Sequence, residues 1–211
     1  MDTRSELIEL HNRISKTLDE ERYAARDKRH EKGYRTAREN LFDLVDENSF
    51  VEYGQLAIAA QKSRREIEEL RTETAADGII TGFAKVNSNL LKDEKSLTAI
   101  VINDYSVLAG TQGYYHHKKL DRICETAEKQ NLPVVMYTEG GGGRPGDTDV
   151  HVQFAGLQIP SFSTWARLKG KSLRIAVNNG YCFAGNAALF GVSDFCISTK
   201  NSWLGMSGPA M

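Results

Sequence analysis

The sequence of 211 residues predicts an α/β fold with a mostly parallel sheet. Short apolar segments rich in β-branched residues recur between residues 78 and 198, and helical patterns separate most of them. Strands that alternate with helices pair mainly in parallel, through right-handed crossovers. Two strands come before the first strand–helix units, an order that fits a coiled βαβ spiral as well as an open doubly wound sheet.

Composition argues against several classes of protein. Apolar residues make up 40% of the chain, and the formal net charge of -1 argues against nucleic-acid binding by phosphate neutralisation. No apolar run of about 18 residues predicts a membrane span, and the charged N-terminus does not resemble a secretory signal. The three cysteines lack C-x-x-C spacing, which favours small buried thiols over a disulfide framework or a zinc ribbon. We therefore expect a cytoplasmic protein.

The N-terminal part of the chain predicts helices. Residues 4–31 contain neither Pro nor Gly, and Gly33 ends that stretch. Three apolar residues share one face of this predicted helix: Leu7, Leu10 and Ile14. Thr36 and Glu39 have the spacing of a capping box, which predicts a second helix that ends near Asn48.

The remaining elements follow in chain order. Five segments predict strands: residues 78–86, 97–103, 133–137, 173–177 and 194–198. Helical patterns fill four segments between them: residues 112–130, 149–157, 161–168 and 184–190. The first of these helices has an apolar inner face: Leu120, Ile123, Cys124 and Ala127. Both tryptophans are expected in the core: Trp165 and Trp203. Residues 63–71 predict a solvated helical face.

The adjacent residues His116 and His117 point about 100° apart on a helix, so they make a poor chelating pair for one metal ion. With the two lysines that follow, they predict a solvated helix face. Contact between Lys118 or Lys119 and the phosphates of a nucleotide-bearing ligand is the alternative. No metal site is expected.

Turns of small residues follow three predicted strands. We call them the first (residues 103–113), second (139–146) and third (178–188) strand-end turns. The second turn has four consecutive glycines, which allow positive φ and let a ligand approach the main chain, but it matches neither Walker A nor G-x-G-x-x-G. A flexible loop or a tight packing turn is the alternative for each. Because ligands of α/β folds bind at the carboxyl ends of strands, the three turns together favour one shared site.

Seven segments match a known set of motifs in order: YRTARENL (34–41), NSFVE (48–52), DGIITGF (77–83), NDYSVLAG (103–110), EGGGGR (139–144), YCFAGNA (181–187) and GMSGP (205–209). With them the chain resembles the N-terminal half of the carboxyltransferase of biotin-dependent acyl-CoA carboxylases, in the crotonase-like superfamily. The resemblance implies a ββα spiral core that binds acyl-CoA over residues 51–211, preceded by an N-terminal helical segment over residues 1–50.

The resemblance also implies a mechanism. Carboxybiotin, a co-substrate carried by a partner, releases CO2, and the biotin takes the α-proton of the acyl-CoA. The resulting enolate attacks CO2, while backbone N–H groups hold the thioester oxygen. No covalently bound cofactor is implied.

The matched motifs imply specific site residues. The N–H groups of Gly185 and Asn186 are the candidate donors to the oxyanion. Six further residues are candidates for substrate binding: Ala109, Gly110, Gly142, Gly143, Arg144 and Ala184. Asn186 stands where many family members have glycine, which predicts either a narrower pocket or an additional amide in it.

Family members continue past the last motif into a second, biotin-binding half, so we expect residues 1–211 to be a fragment or a half-subunit. The implied partners are that C-terminal half or a second subunit, a biotin carboxyl carrier and a biotin carboxylase, in a homo-oligomer when complete. A biotin-dependent decarboxylase subunit and a non-catalytic CoA-binding or assembly subunit remain alternatives. A hydratase is disfavoured because no Glu acid–base pair stands near the turns.

Overall fold

The computed structural model of the protein describes residues 4–91, 93–150 and 159–208. Within them lie eight α-helices: α1 Ser5–Ser15, α2 Tyr23–His30, α3 Ala37–Leu44, α4 Ile67–Glu73, α5 Asp93–Ser96, α6 Tyr114–Gln130, α7 Ser161–Arg167 and α8 Ala184–Gly191. None of these helices is both long and apolar enough to cross a membrane. The helix predicted over residues 149–157 lies almost entirely outside the described residues.

The same part of the chain contains nine strands: β1 Val51–Tyr53, β2 Ile79–Lys85, β3 Leu97–Asn103, β4 Val134–Tyr137, β5 Gly140–Gly141, β6 Arg174–Asn178, β7 Tyr181–Phe183, β8 Phe195–Ser198 and β9 Trp203–Gly205. The five strands predicted from sequence are β2, β3, β4, β6 and β8. The other four are only two or three residues long, too short for an alternating pattern to predict them.

The strands form two sheets that confirm the α/β class. The larger sheet has the order β1-β2-β3-β4-β6-β8, antiparallel from β1 to β3 and parallel from β3 onward. The smaller sheet has the parallel order β5-β7-β9. After each of β4, β6 and β8, the chain adds one strand to the smaller sheet. This repeat is a spiral, so the structure excludes the single open sheet that the sequence pattern had allowed.

The larger sheet has a core on each face because successive strand residues point to opposite sides. Ala99 and Val101 of β3 pack with α6, α7 and α8 in one apolar cluster. Ile100 and Ile102 pack with Ala37 and Leu41 of α3 in the other. Helices therefore cover both faces of the sheet. The carboxyl ends of its parallel strands lie between these two helical layers.

The N-terminal prediction is partly wrong, because residues 4–31 form two helices instead of one. Between them, the buried Thr17 hydroxyl donates to the Ile14 carbonyl and accepts from the Gln55 amide. Arg22 pairs with Asp104 of the first strand-end turn at 2.8 Å. The contacts of Gln55 and Asp104 with this segment hold a turn in a stretch where no proline or glycine signals a break.

The predicted apolar face of α1 is not buried by the described residues. Leu7 and Leu10 are 45% and 38% exposed, and Ile14 is half-buried. The capping box of α3 is confirmed, since the Thr36 hydroxyl accepts from the Glu39 N–H and the Glu39 carboxylate accepts from the Thr36 N–H.

Contacts tie the N-terminal helices to the spiral. Arg38 of α3 forms a buried bidentate pair with Glu52 of β1, at 2.6 and 3.1 Å. Leu41 is fully buried against the larger sheet. The division of the chain at residue 50 stays a prediction.

Two residues expected inside lie at edges. Trp165 is buried as predicted, but Trp203 is 56% exposed because β9 is the edge strand of the smaller sheet. Cys124 and Cys182 are buried, whereas Cys196 is exposed on β8, the edge strand of the larger sheet. No neighbouring strand covers an edge position, so sequence apolarity alone mispredicted both residues.

Candidate active site

The three strand-end turns meet at the carboxyl ends of the central strands of the larger sheet. β3, β4 and β6 are parallel neighbours, so the turns that follow them emerge side by side. A Cβ atom added at Gly110 would lie 2.6 Å from the Gly140 Cα. One added at Gly141 would lie 2.2 Å from the Phe183 carbonyl oxygen. The turns therefore touch through glycine backbones, and the convergence predicted from sequence is confirmed.

The first turn contains a left-handed run. Leu108, Ala109 and Gly110 have φ values of 48°, 56° and 65°. Such a conformation costs a non-glycine residue about 1–3 kcal/mol and persists only where the surroundings determine it. The Gly110 N–H donates to the Val107 carbonyl at 2.9 Å. Ala109 is exposed, and within the described residues its N–H has no acceptor, so it is the residue of this predicted pair that can face a ligand.

The first two glycines of the second turn are packed against a neighbouring strand, whereas at the last two no described residue fills the side-chain position. Gly140 and Gly141 form β5 and pair with β7. A Cβ atom added at Gly142 or Gly143 would meet no atom of the described residues within 4 Å. These two glycines thus border open space beside the other turns, as a pocket wall requires, and their contact with substrate stays a prediction.

The third turn leads into the N-terminus of α8. Ala184 has a φ of 49°, and the helix that begins there places the N–H groups of Gly185 and Asn186 in its first helical turn. N–H groups at these positions have no partner within their own helix. Neither donates to an acceptor in the part of the chain that the structure describes. Two unpaired N–H groups and the positive end of the helix dipole can accommodate an anionic oxygen.

The Asn186 side chain does not enter the pocket. It is fully buried, its Oδ1 accepts from Gln112 Nε2 at 2.8 Å, and its Nδ2 donates to the Thr138 and Glu139 carbonyls at 3.2 and 3.3 Å. The predicted pocket amide is therefore not observed, while the narrower pocket stays a prediction. Its amide bonds to the protein beneath the turns.

Arg144 points into the protein as well. Its guanidinium is 4% exposed, forms a short ion pair with Asp77, and donates to the Thr111 carbonyl at 2.7 Å. Burial raises the pKa of the Asp77 carboxyl, and the Arg144 charge opposes that rise. Any contact of Arg144 with substrate must therefore come from its main chain, because its side chain is committed to Asp77.

The solvated face predicted for residues 116–119 is wrong. His116 and His117 are buried under the turns, and burial lowers the pKa of His117 to about 4. Lys119 is also buried, donates to the Ala76 and Ile79 carbonyls, and has its pKa lowered by burial to about 8. Its amino group is unavailable to ligand phosphates, whereas Lys118 is exposed. Lys119 therefore bonds to main-chain carbonyls at and just before the start of β2, and His117 lies against the Ser161 hydroxyl of α7.

A cleft of about 610 Å³ opens between α2 and the first and third turns. Six of the residues that line it come from α2, the segment that follows it, and the first and third turns: Lys28, Lys32, Tyr34, Tyr105, Ala109 and Tyr181. Tyr34 and Tyr105 each lie within 6 Å of Tyr181, measured between ring centroids. The cleft combines aromatic faces with two exposed lysines beside the edge of the sheet.

A buried ion pair lies next to this cleft. Arg29 of α2 binds both carboxylate oxygens of Glu139, at 2.8 and 2.6 Å. The guanidinium also lies 5.0 Å from the ring centroid of Tyr34, a cation–π distance. A Cβ atom added at Gly180 would lie 1.9 Å from Glu139 Oε1, so a side chain there would displace the Glu139 carboxylate from Arg29. The pair joins the N-terminal helices to the second turn.

Sequence reasoning missed Arg29, Tyr34, Tyr105 and Tyr181, because these residues come together only through tertiary contacts. The sequence did offer one indication for two of them. Tyr105 and Tyr181 each lie in a turn that follows a predicted strand, and such turns come together at the carboxyl ends of parallel strands. Among the described residues, no group of three or more His, Cys, Asp or Glu side chains could hold a metal ion.

Comparisons with known proteins agree with this geometry. A sequence profile described as "Carboxyl transferase domain" matches residues 28–211. The chain is 27% identical, over 98% of its length, to the biotin-dependent acetyl-/propionyl-coenzyme A carboxylase beta5 subunit of Mycobacterium leprae. It is 28% identical, over 100% of its length, to the methylmalonyl-CoA decarboxylase subunit alpha of Veillonella parvula. It spans 36% and 39% of the lengths of these two proteins.

Solved structures show the same likeness in three dimensions. A single-chain, multi-domain long-chain acyl-CoA carboxylase superposes with a TM-score of 0.93 and 51% sequence identity, over 99% of this chain and 20% of that one. The transcarboxylase 12S structure superposes with a TM-score of 0.71 and 25% identity, over 89% of this chain and 34% of that one.

Proposed function

Because the chain belongs to the carboxyl transferase domain family of biotin-dependent acyl-CoA carboxylases, we propose that it forms the acyl-CoA-binding part of a carboxyltransferase. The fold is the crotonase-like spiral expected from the motifs. One observation supports the proposal most directly. The N–H groups of Gly185 and Asn186 at the N-terminus of α8, which have no acceptor among the described residues, lie where three glycine-containing turns converge.

The proposed chemistry needs little from side chains. Carboxybiotin on a partner supplies CO2 and its biotin accepts the α-proton of the acyl-CoA. The N–H groups of Gly185 and Asn186 hold the thioester oxygen as it becomes an enolate oxyanion. Donors of this kind lower the barrier by binding the charge that develops in the transition state, and losing one typically costs about 10²–10³ in kcat.

Other predicted residues would shape the pocket around that oxygen. The Ala109 N–H is the candidate third donor, while Gly110 provides the close approach to the second turn. Gly142 and Gly143 border the open side of the pocket. The left-handed Ala184 sets the direction in which α8 leaves the third turn. Arg144 would hold the second turn in place through its buried ion pair with Asp77.

The proposed partners are a C-terminal carboxyltransferase half or second subunit, a biotin carboxyl carrier and a biotin carboxylase, in a homo-oligomer. The chain alone is proposed to be inactive, since it spans well under half the length of the relatives it matches. The test is fixation of labelled bicarbonate by the full assembly, with acetyl-, propionyl- and long-chain acyl-CoA as acceptors. We expect label in at least one acyl-CoA product and none with residues 1–211 alone. No label with any acceptor, together with no CoA binding by calorimetry, would refute the proposal.

A decarboxylase subunit is the second candidate, because the Veillonella parvula relative matches the whole chain. The same enolate and the same N–H groups would serve that reaction in reverse. Product analysis of the assembly with a malonyl-type thioester distinguishes the two directions. A non-catalytic assembly subunit predicts a stable complex with a carboxylase and no turnover in either direction.

The cleft beside α2 leads to a prediction about CoA binding. Lys28 and Lys32 line it, are exposed, and lie within salt-bridge distance of no acidic group that the structure describes. Contacts between an ammonium group and a phosphate are worth about 1.5 kcal/mol, or about tenfold in affinity. We expect Lys28→Ala and Lys32→Ala each to raise the Kd for CoA about tenfold by calorimetry, and the loss to shrink at high salt.

Lys129→Ala is the matched control for this measurement. Lys129 is an exposed lysine in the last turn of α6, and that helix ends just before β4, at the opposite edge of the sheet. Its substitution should leave the Kd for CoA unchanged. Equal Kd values for wild type and both cleft variants would show that the phosphates bind elsewhere.

A further inference from the structure

Asn186 joins the three strand-end turns from beneath. Its side chain is fully buried, and every polar atom of its amide group has a partner. Oδ1 accepts from Gln112 in the first turn, while Nδ2 donates to the carbonyls of Thr138 and Glu139 at the second. Asn186 itself belongs to the third turn.

Gln112 closes the connection through its main chain. Its N–H donates to the Gly142 carbonyl at 2.9 Å, and its carbonyl accepts from the Arg144 N–H at 3.0 Å. Gln112 is therefore bonded to the second turn by its backbone and to the third by its side chain. Together with the Asn186 bonds to residues 138–139, these contacts form a ring through all three turns.

The same glutamine touches the backbone that carries the candidate oxyanion donors. A Cβ atom added at Gly185 would lie 2.9 Å from Gln112 Oε1, so the side-chain amide lies directly against Gly185. Movement of Gln112 would shift Gly185 relative to Gly142 and Gly143 across the pocket. Removing one partner of this pair would leave a buried amide group unsatisfied, which favours rearrangement of the turn that carries it.

We propose that Asn186 and Gln112 are positioning residues that set the spacing between the oxyanion N–H groups and the other two turns. The proposal rests on the function proposed above, since the N–H groups matter for turnover only if they hold the thioester oxygen. Neither side chain needs to touch the substrate. Their effect is geometric, and a displacement of about 1 Å in a reacting group can cost about 10²-fold in rate.

The first test is independent of activity. Amide hydrogen exchange is followed in Asn186→Gly, Gln112→Ala and the double variant, over residues 138–146 and 181–187. We expect about tenfold faster exchange in each single variant and little further change in the double, because both remove the same ring. Wild-type protection in both single variants would overturn the proposal, as would additive effects in the double variant.

Thr74→Val is the matched control. Thr74 is also fully buried and its hydroxyl makes two hydrogen bonds, donating to the Leu70 carbonyl and accepting from the Ala59 N–H. It therefore reproduces the loss of a buried polar side chain away from the turns. Exchange at the turns should stay at its wild-type rate in this variant. Faster exchange there in Thr74→Val would attribute the effect to general destabilisation and would overturn the proposal.

The second test uses the complete carboxylase assembly. For Asn186→Gly and Gln112→Ala we expect kcat to fall about 10- to 10²-fold while the Kd for acyl-CoA changes less than about threefold. A rise in Kd with unchanged kcat would overturn the positioning role. No turnover by the wild-type assembly would instead count against the proposed function, and the exchange experiment would still decide whether the ring holds the turns.

Discussion

Replacing Arg144 by leucine is expected to lower the free energy of unfolding by about 3–5 kcal/mol. The guanidinium is 4% exposed and pairs with the fully buried Asp77 and Asp147, so the substitution leaves two carboxylates in the interior without their cation. Asp77 keeps one further donor, the His116 N–H at 2.7 Å, which cannot replace a positive charge. Thermal or urea unfolding of the variant measures the loss. A decrease below about 1 kcal/mol would mean that water or another cation compensates the buried carboxylates.

Arg35→Leu is the control for charge removal. Arg35 pairs with Asp43 at 2.6 Å, but the two side chains are 55% and 62% exposed. Solvent screens such a pair, and we expect little change in the free energy of unfolding. The double variant Arg144→Leu, Asp77→Leu should be less destabilised than the sum of its single variants, since it removes both charges at once.

Replacing Gly140 by alanine is expected to give the second large effect. Gly140 has a φ of 118°, and an added Cβ atom would lie 2.4 Å from the Gly110 carbonyl oxygen. The positive φ and the close Gly110 carbonyl oxygen both belong to the main chain, which cannot move aside as a flexible side chain can. Strain and overpacking each cost about 1–3 kcal/mol, so we expect a loss of about 2–6 kcal/mol in the free energy of unfolding.

The same substitution should separate the first and second turns. If the variant folds, we expect carboxylation by the complete assembly to fall about 10²-fold, because the N–H groups and the pocket wall no longer keep their spacing. Gly143→Ala is the comparison for stability alone. An added Cβ there meets no atom within 4 Å in the part of the chain that the structure describes, so the free energy of unfolding should change by less than about 0.5 kcal/mol. Equal stability of both variants would contradict the close approach of Gly110 and Gly140.

The strands and helices that the sequence predicted best are those with a buried face. β3 begins and ends at the predicted residues, because seven consecutive residues of a central strand must be apolar enough for two covered faces. The capping box of α3 was equally predictable, since both of its hydrogen bonds join residues three positions apart. Failures occurred where long-range contacts decide the outcome, as in the break between α1 and α2.

The candidate site divides in the same way. The positions of Ala109, Gly142 and Gly185 followed from motifs at strand ends, because parallel neighbours bring those ends together. The directions of the Arg144, Asn186 and Lys119 side chains did not follow. Each is polar in sequence and buried in the structure, where it bonds to at least one partner 40 or more positions away in the chain.

The sequence by itself determined the α/β class, the family and the order of the three turns, because local patterns and motifs are sufficient for these. Only the tertiary structure decided the spiral over the open sheet, through the small strands that follow β4, β6 and β8. It also decided that the Asn186 side chain lies beneath the turns, while its main-chain N–H stays at the N-terminus of α8. A hydrogen bond between distant residues depends on how the chain packs, and no local pattern records that packing.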